Sequence, residues 1–257
     1  MSWLEALLLG LIQGITEFFP VSSSAHLKLA KMLLGSRDQC LLFDLFCHLG
    51  TLIAVLIFLK QEIRDLLQDR KKLAVLLIAM IPLIPAYFLL KPLRDFASQP
   101  QYLGLCLMMT GGILFFGYRY RMRREACQSM KRQISDALWI GTMQSAALIP
   151  GISRSASTIS CARILGWDPA IAVRFSFLLS IPTVIGGNCL ELLKMALSTV
   201  PEQEVALSFC LAGFLTSCAA GLLIIRFAIS LLERGKLQPF AWYCLTMGAI
   251  TTYFLSF

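Results

Sequence analysis

Gln13, Glu17, Ser22, Ser23, Ser24 and His26 fall within one stretch, QGITEFFPVSSSAH, of a chain that is otherwise strongly apolar. A carboxylate, hydroxyls and an imidazole so close together are the parts of a nucleophilic or general-base site. Gln13 and Glu17 are four apart, so on a helix they share a face and point into one cavity. A second stretch, PGISRSAST, sets Arg154 among Ser153, Ser155, Ser157 and Thr158, directly after Pro150 and Gly151. Hydroxyls and the unpaired N–H groups of a helix start, beside a guanidinium, form an anion cradle, and phosphate is its natural tenant. A plainer alternative stands beside each: Gln13 and Glu17 as a polar pair at a helix end, the serines as caps, Arg154 paired with a carboxylate, Glu17 included. A carboxylate in a membrane segment costs about 2.5–3.5 kcal/mol even on lenient scales, which weighs toward function.

The two stretches occupy equivalent places in an internal repeat. ALLLGLIQGITEFFPVSSSAHLKLAKMLLG (6–35) and ALWIGTMQSAALIPGISRSASTISCARILG (137–166) align without gaps, matching Gly10 with Gly141, Gln13 with Gln144, Ser22 with Ser153, Ser24 with Ser155 and Gly35 with Gly166. The differences carry the chemistry: Glu17 falls on Leu148, Ser23 on Arg154 and His26 on Ser157. One copy brings the carboxylate, the other the guanidinium. Each copy is broken in its middle by Pro or Gly and serines, so each predicts a helix–break–helix hairpin.

The surrounding composition is that of a polytopic membrane protein. Of 257 residues 57% are hydrophobic and only 15% charged, with a mean hydropathy of +0.72. A bilayer core needs about 20 apolar residues per helix. Six spans are expected, near 41–59, 73–90, 102–118, 170–193, 205–225 and 238–257. The first apolar run lacks the basic start and cleavage site of a signal peptide, so it is read as part of the mature protein. The net charge of +8 sits in short loops and carries no nucleic-acid motif. The loops 60–72 and 119–136 hold most of it and are expected to be cytoplasmic. Tracing outward from them puts 91–101, 195–204 and the C-terminus outside, and turns the chain inside again at 233–236. Hairpin 6–35 then starts and ends outside, and hairpin 137–166 inside. The fold class is therefore an all-α inverted-topology repeat, about 1–118 and 137–257, in one integral membrane domain with two re-entrant hairpins meeting near mid-membrane. Nine cysteines without a CxxC pair read as small hydrophobes. Asp44 and His48, four apart, and Glu191 are further polar candidates near the outer span ends.

The strings QGITEFFPVSSSAH and PGISRSAST, followed by RFSFLLSIP, closely resemble the undecaprenyl-diphosphatase family of bacitracin-resistance enzymes, and the resemblance runs along essentially the whole chain. It implies hydrolysis of undecaprenyl diphosphate to the monophosphate and phosphate, recycling the lipid carrier for cell-wall polymers. It also implies a multi-pass protein of the bacterial cytoplasmic membrane, a site on its outer face, and a divalent cation, Mg2+ or Ca2+. The family's acidic motif falls on Gln13 and Glu17, its Pro-x-Ser-Ser-x-x-His on Pro20, Ser22, Ser23 and His26, and its active-site Arg on Arg154. Gln13 stands where many members carry Glu, leaving Glu17 the chief anionic ligand for the cation; Ala25 and Ala156 replace glycines. On this reading Arg154 binds diphosphate, and Gln13 is a neutral ligand or orients water. Ser23 is the candidate nucleophile, activated by His26 or Glu17; attack by water with Ser23 only binding phosphate fits equally. The rival function is a transporter or flippase of the lipid phosphate, since broken inverted repeats also build transporters. Homodimerisation is left open by the residues.

Overall fold

A computed structural model describes residues 1–35, 41–122, 129–197 and 205–255. The first hairpin is α1 (Trp3–Thr16) and α2 (Ser23–Leu33), followed by α3 (Leu41–Phe58), α4 (Lys60–Gln68), α5 (Arg70–Ile78), α6 (Leu83–Leu89), α7 (Lys91–Ala97), a 3-10 turn (Pro100–Tyr102) and α8 (Leu103–Arg119). The second hairpin, α9 (Met130–Ala146) and α10 (Arg154–Ile164), precedes α11 (Pro169–Leu197), α12 (Leu207–Glu233) and α13 (Gln238–Leu255). Residues 123–128 of the basic loop, 198–204 of the segment expected outside, and 256–257 of the last span lie outside the described residues.

Among the described residues five stretches are long and apolar enough to cross a membrane: Leu41–Phe58, Arg70–Leu89, Pro100–Arg119, Pro169–Leu197 and Leu207–Glu233. The sixth expected span is α13, whose 18 residues include Gln, Trp, two Tyr and three Thr and fall below the other five in hydropathy. Two further details differ from the expected spans. The stretch 73–90 is two helices, because Pro82 cannot donate to the preceding turn and the chain breaks at 79–82. The span expected at 205–225 continues as helix to Glu233.

Local chemistry starts and stops the helices. Ser2 and Glu5 form a capping box on α1, and Ser153 Oγ accepts from Ala156 N at 3.2 Å to cap α10. Asp69 caps α5, and the backbone N–H of Lys72, with that of Lys71, holds its carboxyl below the usual carboxylate range. Pro20 ends the first arm of one hairpin; Pro150 and Gly151, at φ 97°, end that of the other.

The hairpins are exchanged between the halves. Gly10 and Gly14 of α1 lie against the backbone of Gly213 and Ser217 on α12, while Gly141 of α9 lies against the Ala79 carbonyl at the α5–α6 break. Because α12 and α5–α6 hold the same place in their repeats, each hairpin packs on the other half's second span. Small residues let these backbones approach where lipid supplies no hydrophobic drive. The main core likewise mixes Phe18, Val55 and Leu114 with Ile159, Phe177 and Ile225.

Adjacent glycines of α8 give a sharp test of this packing. A Cβ on Gly111 would meet Leu245 Cγ at 2.7 Å and the Ala241 carbonyl of α13 at 2.9 Å, whereas one on Gly112 meets nothing within 4 Å. Gly111→Ala is expected to lower thermal stability in detergent by about 1–3 kcal/mol, and Gly112→Ala to leave the melting temperature in place.

Candidate active site

Both hairpin breaks deliver their polar side chains to one cavity of about 210 Å³. Glu17, the C-cap of α1, and Arg154, the first residue of α10, meet across it at 3.0 Å, Oε1 to Nη2. They are 137 residues apart in the chain, and their side chains are 11% and 17% exposed. Glu17 Oε2 accepts from Ser23 Oγ at 2.7 Å and from Gln13 Nε2 at 2.9 Å. Arg154 Nη1 also donates to the Ser176 carbonyl at 3.3 Å. The carboxylate thus touches a guanidinium and a serine hydroxyl at once, both of them aimed into the same space.

Of the residues expected at the site, Glu17, Ser22, Ser23, Ser24, Ser153, Arg154 and Ser155 line the cavity. Ser22 and Ser24 are 3.2 Å apart, Oγ to Oγ, and so are Ser153 and Ser155; these are equivalent pairs in the repeat. Ser22 adopts φ 68°, the only positive value among described non-glycine residues. Held left-handed at a cost of about 1–3 kcal/mol, it turns the chain so that Ser23 points at Glu17.

Four expected residues stand elsewhere. Ser157 and Thr158 do not face the cavity: both are buried, Ser157 Oγ donating to the Ser153 carbonyl and Thr158 Oγ1 to the Arg154 carbonyl, with Ser176 Oγ 2.6 Å from Thr158. They stabilise the start of α10 beneath the Arg. Gln13 is fully buried behind Glu17, its Oε1 without a partner. His26 faces away. Its Nδ1 donates to the Ser22 carbonyl at 2.8 Å, and its Nε2 accepts from Tyr243 Oη at 2.7 Å over stacked rings. Of the two activators left open for Ser23, Glu17 is the one in contact. His26 instead ties the strained Ser22 turn to α13, so Tyr243→Phe, removing one hydrogen bond of about 1 kcal/mol, is expected to lower kcat several-fold without unfolding the protein.

Other site residues carried weaker signals. His48 lines the cavity, with Nδ1 fixed on the Asp44 carbonyl at 2.7 Å. Gln144, the repeat partner of Gln13, lines it with Thr183, whose hydroxyl is 3.4 Å from Gln144 Oε1. Thr110 of α8 donates to the Gly151 carbonyl and accepts from Ser153 N, each at 3.1 Å, and so fixes the second break. Leu83, just past the α5–α6 break, and Val184, just past Pro182 of α11, join Phe19, Leu148 and Ile152 as an apolar wall. Glu191 pairs with Lys194 on exposed α11 surface, away from the cavity.

Among the described residues no three His, Cys, Asp or Glu converge as a metal cluster. Glu17 and the orphaned Gln13 Oε1 are nevertheless oxygen donors of the kind Mg2+ takes when most of its shell is water and substrate phosphate. The donor set fits a cation that arrives with a diphosphate, rather than one caged by the protein alone.

A paired carboxylate and guanidinium among serines, inside a helical bundle with membrane-length apolar spans, defines a polytopic membrane protein with a buried site for phosphoryl chemistry. Comparison with known proteins makes the assignment specific. The chain belongs to the family described as bacitracin resistance protein BacA, whose model matches residues 6–250. It is 43% identical to the undecaprenyl-diphosphatase of Protochlamydia amoebophila over 97% of each chain. It is 37% identical to the undecaprenyl-diphosphatases of Halothermothrix orenii and Desulforudis audaxviator, over 96% of each chain.

Proposed function

We propose that this protein hydrolyses undecaprenyl diphosphate to undecaprenyl phosphate and phosphate, recycling the lipid carrier for peptidoglycan and other envelope polymers, with bacitracin resistance as a consequence. The observation that carries this reading is the contact of Glu17 with both Ser23 Oγ and Arg154 in one cavity. The names of the relatives support the substrate, and the apolar wall suits the start of an isoprenoid chain.

The resting Glu17–Arg154 pair opens when the diphosphate arrives, its oxygens taking the guanidinium and the hydroxyls of Ser22, Ser24, Ser153 and Ser155. Glu17, with the orphaned Gln13 Oε1 behind it, would hold a divalent cation, Mg2+ or Ca2+, whose chemistry would be charge neutralisation of the phosphates. Ser23 Oγ attacks the terminal phosphorus and passes its proton to Glu17. The phosphorus–oxygen bond to the lipid phosphate breaks, and the electron pair leaves with undecaprenyl phosphate. That group is a stable anion and needs no strong acid beside it, which suits a site whose His26 points outward. Glu17 loses that proton to water as the lipid phosphate leaves, then takes one from the water that attacks the phosphoserine phosphorus; the Ser23 Oγ–phosphorus bond breaks, orthophosphate departs, and Glu17 returns the proton to Ser23 Oγ.

The site is on the outer side of the bacterial cytoplasmic membrane, in keeping with the basic loops at 60–72 and 119–136. Acid quenching during turnover, followed by mass spectrometry of the peptide bearing Ser23, tests the covalent step. Phosphorylated Ser23 is expected; turnover without it, together with a Ser23→Ala variant that keeps most of the rate, would assign the attack to water. Tight binding of the lipid without phosphate release would instead favour transport.

A further inference from the structure

The third span of each half holds the hairpin tip of the other half. On α8, the fully buried Thr110 accepts from Ser153 N and donates to the Gly151 carbonyl, each at 3.1 Å. Both groups belong to the turn that ends one residue before Arg154, and Gly151 is its left-handed residue. The turn lies close on α8: a Cβ on Gly151 would meet Cys106 Cβ, one helical turn before Thr110, at 2.6 Å. On α13, Tyr243 Oη donates to His26 Nε2 at 2.7 Å, and Cys244 Sγ lies 3.8 Å from the Pro20 carbonyl. The first tip is thus held on either side of Ser22 and Ser23.

The two latches sit at one level of the bundle. Gly111, next to Thr110, packs on the Ala241 carbonyl and Leu245 of α13, which bracket Tyr243 and Cys244 in the chain. Gly248 repeats the close approach further along, against the Gly104 carbonyl. With no side chains between their backbones, α8 and α13 have little room to slide, and each tip is held relative to the other. The two spans also match in sequence, CLMMT at 106–110 with CLTMG at 244–248. Cys106 and Cys244 each meet a tip, but Thr110 falls on Gly248. The packing is common to both halves; the hydroxyl is found only on the side that holds Arg154.

We propose that Thr110 is a positioning residue for the hydrolysis, and that the α8–α13 seam sets Arg154 of one tip in register with Glu17 and Ser23 of the other. The proposal rests on the hydrolytic reading above. Thr110 does not line the catalytic cavity. It fixes where α10 begins, and so where the guanidinium stands, 3.0 Å from Glu17. Thr110→Val keeps the shape of the side chain but leaves Ser153 N–H and the Gly151 carbonyl without this partner.

Single-turnover phosphate release from undecaprenyl diphosphate, with enzyme in saturating excess, separates position from stability. An unfolded fraction leaves the rate constant of the remainder in place, whereas a displaced Arg154 lowers it. Thr110→Val is expected to lower that rate constant about 10- to 100-fold, the cost of a misplacement on the order of 1 Å. Thr110→Ser, which keeps both hydrogen bonds, restores it to within about three-fold of wild type, and Gly112→Ala, where a Cβ meets nothing, leaves it unchanged. Combined with Tyr243→Phe, Thr110→Val costs less than the product of the two single losses, because either one releases the same register. A folded Thr110→Val within about two-fold of wild type, or a Thr110→Ser as slow as Thr110→Val, would overturn the positioning role. Losses that multiply would overturn the seam as the common support. Thr110→Ala, which removes the hydroxyl with no methyl in its place, is read in the same way should the Val variant not fold. A wild type that releases no phosphate would strike the hydrolytic reading. Binding of radiolabelled undecaprenyl diphosphate then tests the latch: weakened in Thr110→Val and restored in Thr110→Ser supports it, and binding unchanged in both overturns it.

Discussion

Glu17→Gln is expected to lower kcat for phosphate release by about two to four orders of magnitude, with the protein still folded. The amide keeps the shape of the side chain and can still face Arg154 through its carbonyl oxygen. It loses the carboxylate that accepts from Ser23 Oγ at 2.7 Å, the base of the proposed mechanism and the only carboxylate among the cavity-lining residues. If a cation bound with substrate meets Glu17, its apparent affinity falls in the same variant. Steady-state kinetics over a cation titration read both effects: the kcat deficit persists at saturating cation, because the lost proton acceptor is not restored. A variant with near wild-type kcat would remove Glu17 from the chemistry and leave it a structural partner of Arg154.

Arg154→Gln separates binding from folding. Removing the guanidinium costs a donor to the developing charge, about 100- to 1,000-fold in kcat by analogy with lost oxyanion donors, and raises KM as well. It also strands Glu17, which is 11% exposed, and an uncompensated buried charge costs about 3–5 kcal/mol. The single variant is therefore expected to be both inactive and less stable. The double variant Glu17→Gln/Arg154→Gln recovers most of the stability, because neither charge remains, and recovers none of the activity. Melting curves in detergent beside single-turnover rates check this; a double variant as unstable as Arg154→Gln would show that the pair's partners, rather than its charges, hold the site.

Much of the site was legible because a repeat exposes what each copy changes. Alignment of the hairpins singled out Glu17 and Arg154, and the expected alternative that these two pair in the empty site is the observed geometry. The serine pairs were equally readable, Ser22 and Ser24 in one copy, Ser153 and Ser155 in the other. What spacing does not give is the direction in which a side chain near a break points. His26 turns outward because Tyr243, 217 residues later, meets its Nε2; no local pattern announces that. Ser157 and Thr158 return their hydroxyls to the preceding helical turn, an option open to any Ser or Thr on a helix. His48 reached the cavity from a span whose periodicity only marked it as polar.

The spans show the same division. Apolar length located five of the six, but it read 73–90 as one unbroken span where the chain breaks before Pro82. The consequence needed coordinates: that break and Pro182 of α11 put Leu83 and Val184 on the cavity wall, beside the breaks of the two hairpins. Irregular backbone collects where protein shields it from lipid.

The central claim is that two hairpin tips, one from each half of the chain, form a single hydrolytic site. It is tested most directly by single-turnover phosphate release from undecaprenyl diphosphate by the purified protein in detergent, with and without EDTA, beside Glu17→Gln from the first tip and Arg154→Gln from the second. Cation-dependent release by wild type, lost at least 100-fold in each variant and no further in the double variant, is the predicted result. Release that survives in either variant, or losses in the two that simply multiply, would contradict a shared site.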